Sequence, residues 1–264
     1  RIFSLTPSAS STAVTEGKDN VFQMCFADPN QGTASADYIA SKGLAKKVGV
    51  IYNSSDAYSS GVYDNFKAEA AAKGLDLVAS EAFTGDSKQD FSSQLSKIKA
   101  SGAELIFLPI YYQEASLILS QAKTAGITAK FFGCDGLDGL LNIENFDKSL
   151  AENVMLLTPF AANATDETTK KFVAAYNAKF DPSTLNQFAA DAYDAVYIVK
   201  AAAEKAGVTG DMSVSDICNA LKGAMTEISI DGVTGSGMTW KATGEVNKEP
   251  KAVKIENGEY QPMD

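Results

Sequence analysis

The sequence predicts an α/β fold built on a mostly parallel sheet with helices on both faces. Two observations carry that prediction. Between Lys46 and Gly133, short apolar or β-branched runs alternate with amphipathic stretches, a pattern that calls for right-handed βαβ crossovers. In addition, four polar stretches follow directly on apolar runs: Thr6 to Ser10 after Ile2 to Leu5, Asp56 to Tyr58 after Val48 to Ile51, Tyr111-Tyr112 after Leu105 to Leu108, and Cys134 to Gly136 after Phe131-Phe132. Ligands of parallel α/β sheets sit beyond the carboxyl ends of the strands. Residues far apart in the chain can therefore meet at one place.

Taken in order, Val48 to Tyr52 reads as a buried strand. Ser59 to Lys73 carries Val62, Phe66 and Ala70 at helical spacing and stops at Gly74. Leu75 to Phe83 is the next strand, and Asp90 caps a helix with Phe91, Leu95 and Ile98 on one face. A strand over Ala103 to Pro109, a helix over Gln113 to Ala125 and a short strand over Thr128 to Phe132 follow, then a strand at Val154 to Leu157. Helices are predicted over Asp166 to Phe180, Leu185 to Ala206 and Asp211 to Lys222, the last capped by Ser213 or Ser215. The end of the chain changes character: Met238 to Trp240 and Lys251 to Ile255 read as strands, and Asn257-Gly258 is a hairpin turn signal.

Composition narrows the function. With 33 acidic against 23 basic residues the net charge is -10, which disfavours attraction to phosphate backbones or anionic lipid. The lysines are spread along helical stretches (Lys67, Lys73, Lys97, Lys99, Lys170, Lys171) and form no basic patch, so no nucleic-acid partner is expected. No apolar stretch approaches the roughly 18 residues of a membrane span, so no direct membrane insertion is expected. Histidine is absent, removing the commonest general base and metal ligand. Cys25, Cys134 and Cys218 are widely spaced and odd in number. They give neither a zinc spacing nor a redox pair; buried thiols are expected, with a Cys25–Cys218 bridge left open.

Chemistry-bearing motifs are mostly missing. There is no dinucleotide or Walker-type glycine loop and no Gly-x-Ser-x-Gly, so no cofactor and no hydrolase triad are expected. Asp135 and Asp138 lie close enough to pose as a carboxylate pair, but Asp138 falls where a helix is expected to begin, which makes it cap or dipole support. The polar set at the strand ends suits holding a small zwitterion better than transforming one.

The motifs Thr6-Pro7-Ser8-Ala9-Ser10-Ser11, Asp28-Pro29-Asn30-Gln31-Gly32, Val50-Ile51-Tyr52 with Asp56-Ala57-Tyr58 and Gly61, Phe83-Thr84-Gly85-Asp86 with Asp90-Phe91, Tyr111-Tyr112-Gln113-Glu114, and Phe132-Gly133-Cys134-Asp135-Gly136 together carry a resemblance. The chain resembles the periplasmic binding protein type I superfamily, in particular the branched-chain amino-acid (Leu/Ile/Val) receptors of ABC transporters, over essentially its whole length.

That resemblance implies a two-lobed fold with parallel sheets flanked by helices, closing around a small amino acid in an interlobe cleft. Lobe I would comprise 1–27 and 158–246, and lobe II 28–157 and 247–264, with hinges near Asp28, Thr158 and Val246. The resemblance begins partway into the family's first lobe, so that lobe is expected to lack its opening βα units. A shortened sheet would expose apolar helix faces and unpaired edges. The start at Arg1 fits a removed targeting segment or an excised piece.

The implied site draws on both lobes. Ser8 and Ser10 match the first loop's carbonyl and hydroxyl contacts, Ser10 also reading as the N-cap of a helix over Thr12 to Glu16. Tyr58 and Tyr111 match the aromatic wall, with Tyr112 as the adjacent alternative, and Phe188 matches a residue of the side-chain pocket. Asp135, followed by Gly136, matches the ammonium acceptor, usually a glutamate, with a shorter reach. The implied function is an extracytoplasmic, non-enzymatic receptor, in the periplasm or as a Gram-positive cell-surface lipoprotein, that delivers an amino acid to an ABC permease. A sensor domain for amino acids or amides is the alternative.

Overall fold

In the computed structural model, which describes residues 1–263, the elements run β1 (Ser4–Thr6), β2 (Val21–Gln23), α1 (Asp28–Ser41), β3 (Lys47–Asn53), α2 (Ala57–Ala72), β4 (Asp76–Phe83), α3 (Ser92–Ser101), β5 (Leu105–Leu108), α4 (Tyr112–Thr124), β6 (Lys130–Gly133) and β7 (Met155–Thr158). They continue with α5 (Glu167–Asn177), α6 (Gln187–Ala206), α7 (Val214–Met225), β8 (Thr239–Trp240), β9 (Val246–Asn247), β10 (Lys251–Glu256) and β11 (Glu259–Pro262). The chain divides into two units, one of residues 1–27 and 162–249, the other of 28–161 and 250–264.

The unit boundaries lie a few residues from those expected at 157/158 and 246/247, for local reasons. Thr158 is the last residue of β7 and pairs with Lys251, so it stays with that sheet. Val246 and Asn247 pair with Trp240 and Thr239, and Lys248 is buried against Asp191. The chain therefore leaves the first unit only after Glu249.

The second unit is built on a seven-stranded sheet in the order β11-β10-β7-β6-β5-β3-β4. β4, β3, β5, β6 and β7 are parallel, while β10 is antiparallel to both β7 and β11. The interior strand β5, Leu-Ile-Phe-Leu, is buried along its whole length, as expected of a parallel strand covered on both faces. Val62, Phe66 and Ala70 of α2 pack on Phe107 and Phe132 in the core, the helical spacing read from sequence. Asn257 and Gly258 both take positive φ, 53° and 77°, as a two-residue type I′ hairpin requires.

One long element escapes the sequence pattern. The stretch Asp-Pro-Asn-Gln-Gly-Thr has turn composition, yet it opens the fourteen-residue helix α1. Its buried face is Asp28, Gln31, Gly32, Ser35, Ala36 and Ile39, which has helical spacing but little apolar character. Pro29 near the helix start is the legible signal, since the first turn needs no N–H from it.

The first unit holds a parallel pair, β1 with β2, in register from Ser4–Val21 to Thr6–Gln23. Phe22 and Met24 pack with Ile198 and Ala202 of α6, Leu221, Ala224 and Met225 of α7, and Trp240. The Trp240 indole N–H donates to the Gln23 carbonyl at 2.9 Å, tying the β8–β9 hairpin to β2. Ser213 is the α7 cap, accepting from the Asp216 N–H. All three cysteines are buried thiols, and Cys134 Sγ lies 3.3 Å from Ser35 Oγ.

Candidate functional site

β6, β5 and β3 are neighbours in the sheet, and the three loops that leave their carboxyl ends carry Asp135, Tyr111 and Tyr58 in turn. Each is positioned by a local cause. Asp56 caps α2, its carboxylate accepting from the Ser59 N–H at 2.8 Å, and this sets Tyr58 in the helix's first turn. Tyr111 is the residue before α4 in extended conformation. Asp135 opens a 3-10 turn, Asp135–Leu137, directly after β6.

The side chains converge. Tyr58 is buried at 6% exposure, and its hydroxyl donates to Asp135 Oδ1 at 2.9 Å while accepting from the Gly136 N–H at 3.1 Å. Gln31 of α1, wholly buried, donates through Nε2 to Asp135 Oδ2 at 2.8 Å. The Tyr111 ring lies 4.9 Å from that of Tyr58 and remains 40% exposed, giving the cluster a solvent-facing wall. Gly136 is required where it stands: a Cβ there would lie 2.7 Å from the Ile110 carbonyl oxygen and 2.8 Å from the Tyr58 hydroxyl.

Electrostatically the region is acidic. Burial pushes the Tyr58 phenol far above its ordinary range, with Asp135 adding to the rise. Tyr111 is raised by burial first and then by Asp56, Asp135, Asp28 and Glu114. Burial likewise raises the Cys134 thiol, against a lowering hydrogen bond from Ser35. Neither phenol nor thiol is available as a base near neutrality. The arrangement can hold and orient a cationic group, with aromatic surface beside it.

Ser8, Ser10 and Phe188 belong to the first unit. There, Gln23 holds the loop by donating to the carbonyls of Ala9 at 2.9 Å and Ser11 at 3.0 Å, and the Ala9 N–H donates to Thr6 Oγ1. Ser8 is exposed and Ser10 buried. The expected helix capped by Ser10 is instead a three-residue 3-10 turn, Thr12–Val14, capped by Ser11. So short a turn has little summed dipole of its own. Phe188 is half-buried in the first turn of α6. Tyr112 begins α4 behind Tyr111, its ring against Gly139.

Asp138 ends a turn rather than beginning a helix: its N–H donates to the Asp135 carbonyl. Its buried side chain neighbours Tyr260, whose phenol is raised by burial and by Asp138. Gln31 is the member that sequence reasoning missed. It stands in the Asp28 to Gly32 motif, which carries resemblance but had no role assigned to its glutamine. Among the described residues there is no cluster of His, Cys, Asp and Glu that could hold a metal ion, and no helix long and apolar enough to cross a membrane.

Ligands of open α/β sheets bind beyond the carboxyl ends of the strands, and the buried Asp135, steadied by neutral donors, stands there. The chain belongs to the periplasmic binding protein family, whose model matches residues 1–259. Among curated relatives, "Leu/Ile/Val-binding protein homolog 3" of Brucella melitensis is 34% identical over 212 residues, 80% of this chain and 56% of the relative. Two solved structures share the fold closely. The leucine binding protein LivK from Thermotoga maritima has a TM-score of 0.84 at 26% identity, covering 98% of this chain and 71% of that one. LivJ from Streptococcus pneumoniae, a branched-chain amino acid transporter substrate binding protein in complex with isoleucine, has a TM-score of 0.83 at 28% identity, covering 97% and 70%. The chain spans little more than half the length of that curated relative.

Proposed function

We propose that this chain is the ligand-binding portion of an extracytoplasmic, non-enzymatic solute receptor that captures a small amino acid, of aliphatic or branched-chain type, and passes it to an ABC transporter permease. The observation that carries the reading is the Asp135 carboxylate at the end of β6, held by Tyr58 and Gln31 with Tyr111 alongside. In this reading Asp135 accepts the ligand's ammonium group, Tyr58 and Gly136 fix the loop that presents it, and Tyr111 lies against the ligand. Ser8 and Ser10 take the carboxylate and Phe188 lines the side-chain pocket, roles supported by the resemblance of their loops to the family pattern. The two units correspond to the two lobes of that pattern. Similarity to a Leu/Ile/Val-binding protein homolog, to a leucine binding protein and to LivJ in complex with isoleucine supports the ligand class.

A thermal-shift screen of the twenty amino acids on the full-length protein tests the reading, because a ligand that binds only the native state raises the midpoint. A rise with aliphatic amino acids is expected; none with any amino acid would overturn the proposal. A charge-assisted hydrogen bond contributes on the order of 1.5 to 3 kcal/mol. Asp135→Asn is therefore expected to lower affinity by at least roughly tenfold. Unchanged affinity by calorimetry would remove Asp135 from the ligand's contacts.

A further inference from the structure

We infer that Gln31 is the positioning residue of the ammonium site: it locks the Asp135 carboxylate in one orientation, and through it sets the preference for ligands bearing a free ammonium group. The inference rests on the amino-acid-binding reading above and adds to it a residue with no ligand contact of its own.

Gln31 is fully buried, so whatever it does for a ligand passes through a neighbour. That neighbour is Asp135: Gln31 Nε2 donates to its Oδ2 and the Tyr58 hydroxyl to its Oδ1. An ionised carboxylate has about four acceptor positions. A donor on each oxygen therefore fixes the plane of the carboxylate. Both donors are neutral and bring no charge of their own to the carboxylate. The contrast within the molecule is Asp191, whose carboxylate is met by the Lys248 ammonium.

The two donors are themselves held as one piece. Gln31 lies on α1 and Tyr58 on α2, and these helices touch backbone to backbone at Gly32, where a Cβ would lie 2.7 Å from the Phe66 nitrogen. At the other contact, a Cβ on Gly61 would lie 3.2 Å from Asp28 Oδ2. Because neither helix can shift independently, the acceptor direction is set before a ligand arrives. Pre-orientation of this kind removes an ordering cost from binding.

The test is calorimetry on the full-length protein with leucine and with 4-methylpentanoate, the same skeleton without the ammonium group. Gln31→Met, close in shape but without the donor, is expected to weaken leucine binding about tenfold and to leave the analogue's weak binding unchanged, narrowing the preference. Combined with Asp135→Asn, the same substitution should add little further loss, since it acts through that carboxylate.

Gln31→Glu gives a second readout that simple loss of packing would not produce. It places two carboxyl groups within hydrogen-bond distance, and such pairs share a proton. Leucine binding to this variant should then release a proton and strengthen as pH rises from about 6 to 8, where the parent protein changes less. The neighbouring Tyr58, Tyr111 and Cys134 are held above that window by burial, and the carboxylates of Asp28, Asp56 and Glu114 around Tyr111 are common to both proteins.

Leucine affinity and pH profiles identical to the parent's in both variants would overturn the inference while leaving the amino-acid reading intact. If the parent protein binds no amino acid, that reading fails, and the role of Gln31 is decided without ligand. The Gln31 side-chain amide resonances should move on Asp135→Ala; resonances that stay in place overturn it.

Discussion

Replacing Lys248 with methionine is expected to destabilise the first unit by about 3–5 kcal/mol at pH 7, the cost of leaving a buried charge without its partner. Lys248 and Asp191 are 0% and 2% exposed and lie 2.8 Å apart, and the ammonium also donates to the Met24 carbonyl at 3.2 Å. The lysine thus joins α6 to the end of β2. Urea unfolding followed by the fluorescence of Trp240, the chain's sole tryptophan and part of that unit's core, measures the loss. A variant within about 1 kcal/mol of the parent would mean that the pair contributes no more than an exposed one.

The loss should depend on pH in a definite sense. Burial raises the Asp191 carboxyl above its ordinary value, and Lys248 opposes that rise. Without the lysine the folded state holds the Asp191 proton to higher pH than the unfolded chain, so its stability falls as pH rises. The stabilising share of protonated Asp191 is complete below the unfolded value of about 3.9 and disappears as pH passes the folded one. The penalty of Lys248→Met is therefore expected to be smaller at pH 5 than at pH 7. Adding Asp191→Asn should recover part of the loss at pH 7, because the unpaired charge is then gone.

Gly32→Ala is expected to cost about 3 kcal/mol, the upper part of the range for overpacking. The added Cβ would overlap the Val62 carbonyl oxygen and lie 2.7 Å from the Phe66 nitrogen and 2.9 Å from Asn65 Cβ. Two of those obstacles are backbone, which cannot turn aside, so α1 and α2 would have to separate. Because Gln31 and Tyr58 ride on those helices, ligand affinity should fall along with thermal stability. Gly223→Ala is the control: it lies within α7 with nothing near its Cβ position, so it should stabilise by about 0.5–1 kcal/mol. A thermal midpoint for Gly32→Ala equal to the parent's would show that the helices can part at no cost.

Gly32 also explains why α1 was illegible. Asp28, Pro29, Asn30 and Gly32, within five positions, carry the local chemistry of a turn, and the helix forms because a glycine permits the close approach of α2. Lys248 is a similar case. Within Asn247-Lys248-Glu249-Pro250 it reads as solvated charge, and only folding places it against an acid fifty-seven positions away. A partial signal exists on the acid's side, where Asp191 and Asp194 fall on the same helical face as Ala190 and Ile198. Asp194 is satisfied there by the N–H groups of Val233 and Thr234.

What the sequence determined by itself is whatever depends on neighbours along the chain: the alternation of strands and helices through β6, the cap at Ser213, the Asn257-Gly258 hairpin, and the placement of Tyr58, Tyr111 and Asp135 at strand ends. Those are set by periodicity, capping and turn chemistry over a few residues. Tertiary structure alone decided that Gln31 completes the Asp135 site, that Lys248 is buried, and that the turn after Ser11 stops at Val14. Each of those outcomes rests on hydrogen bonds, ion pairing or packing between segments distant in sequence, or on how far a turn propagates once its surroundings are packed, and local pattern carries no record of either.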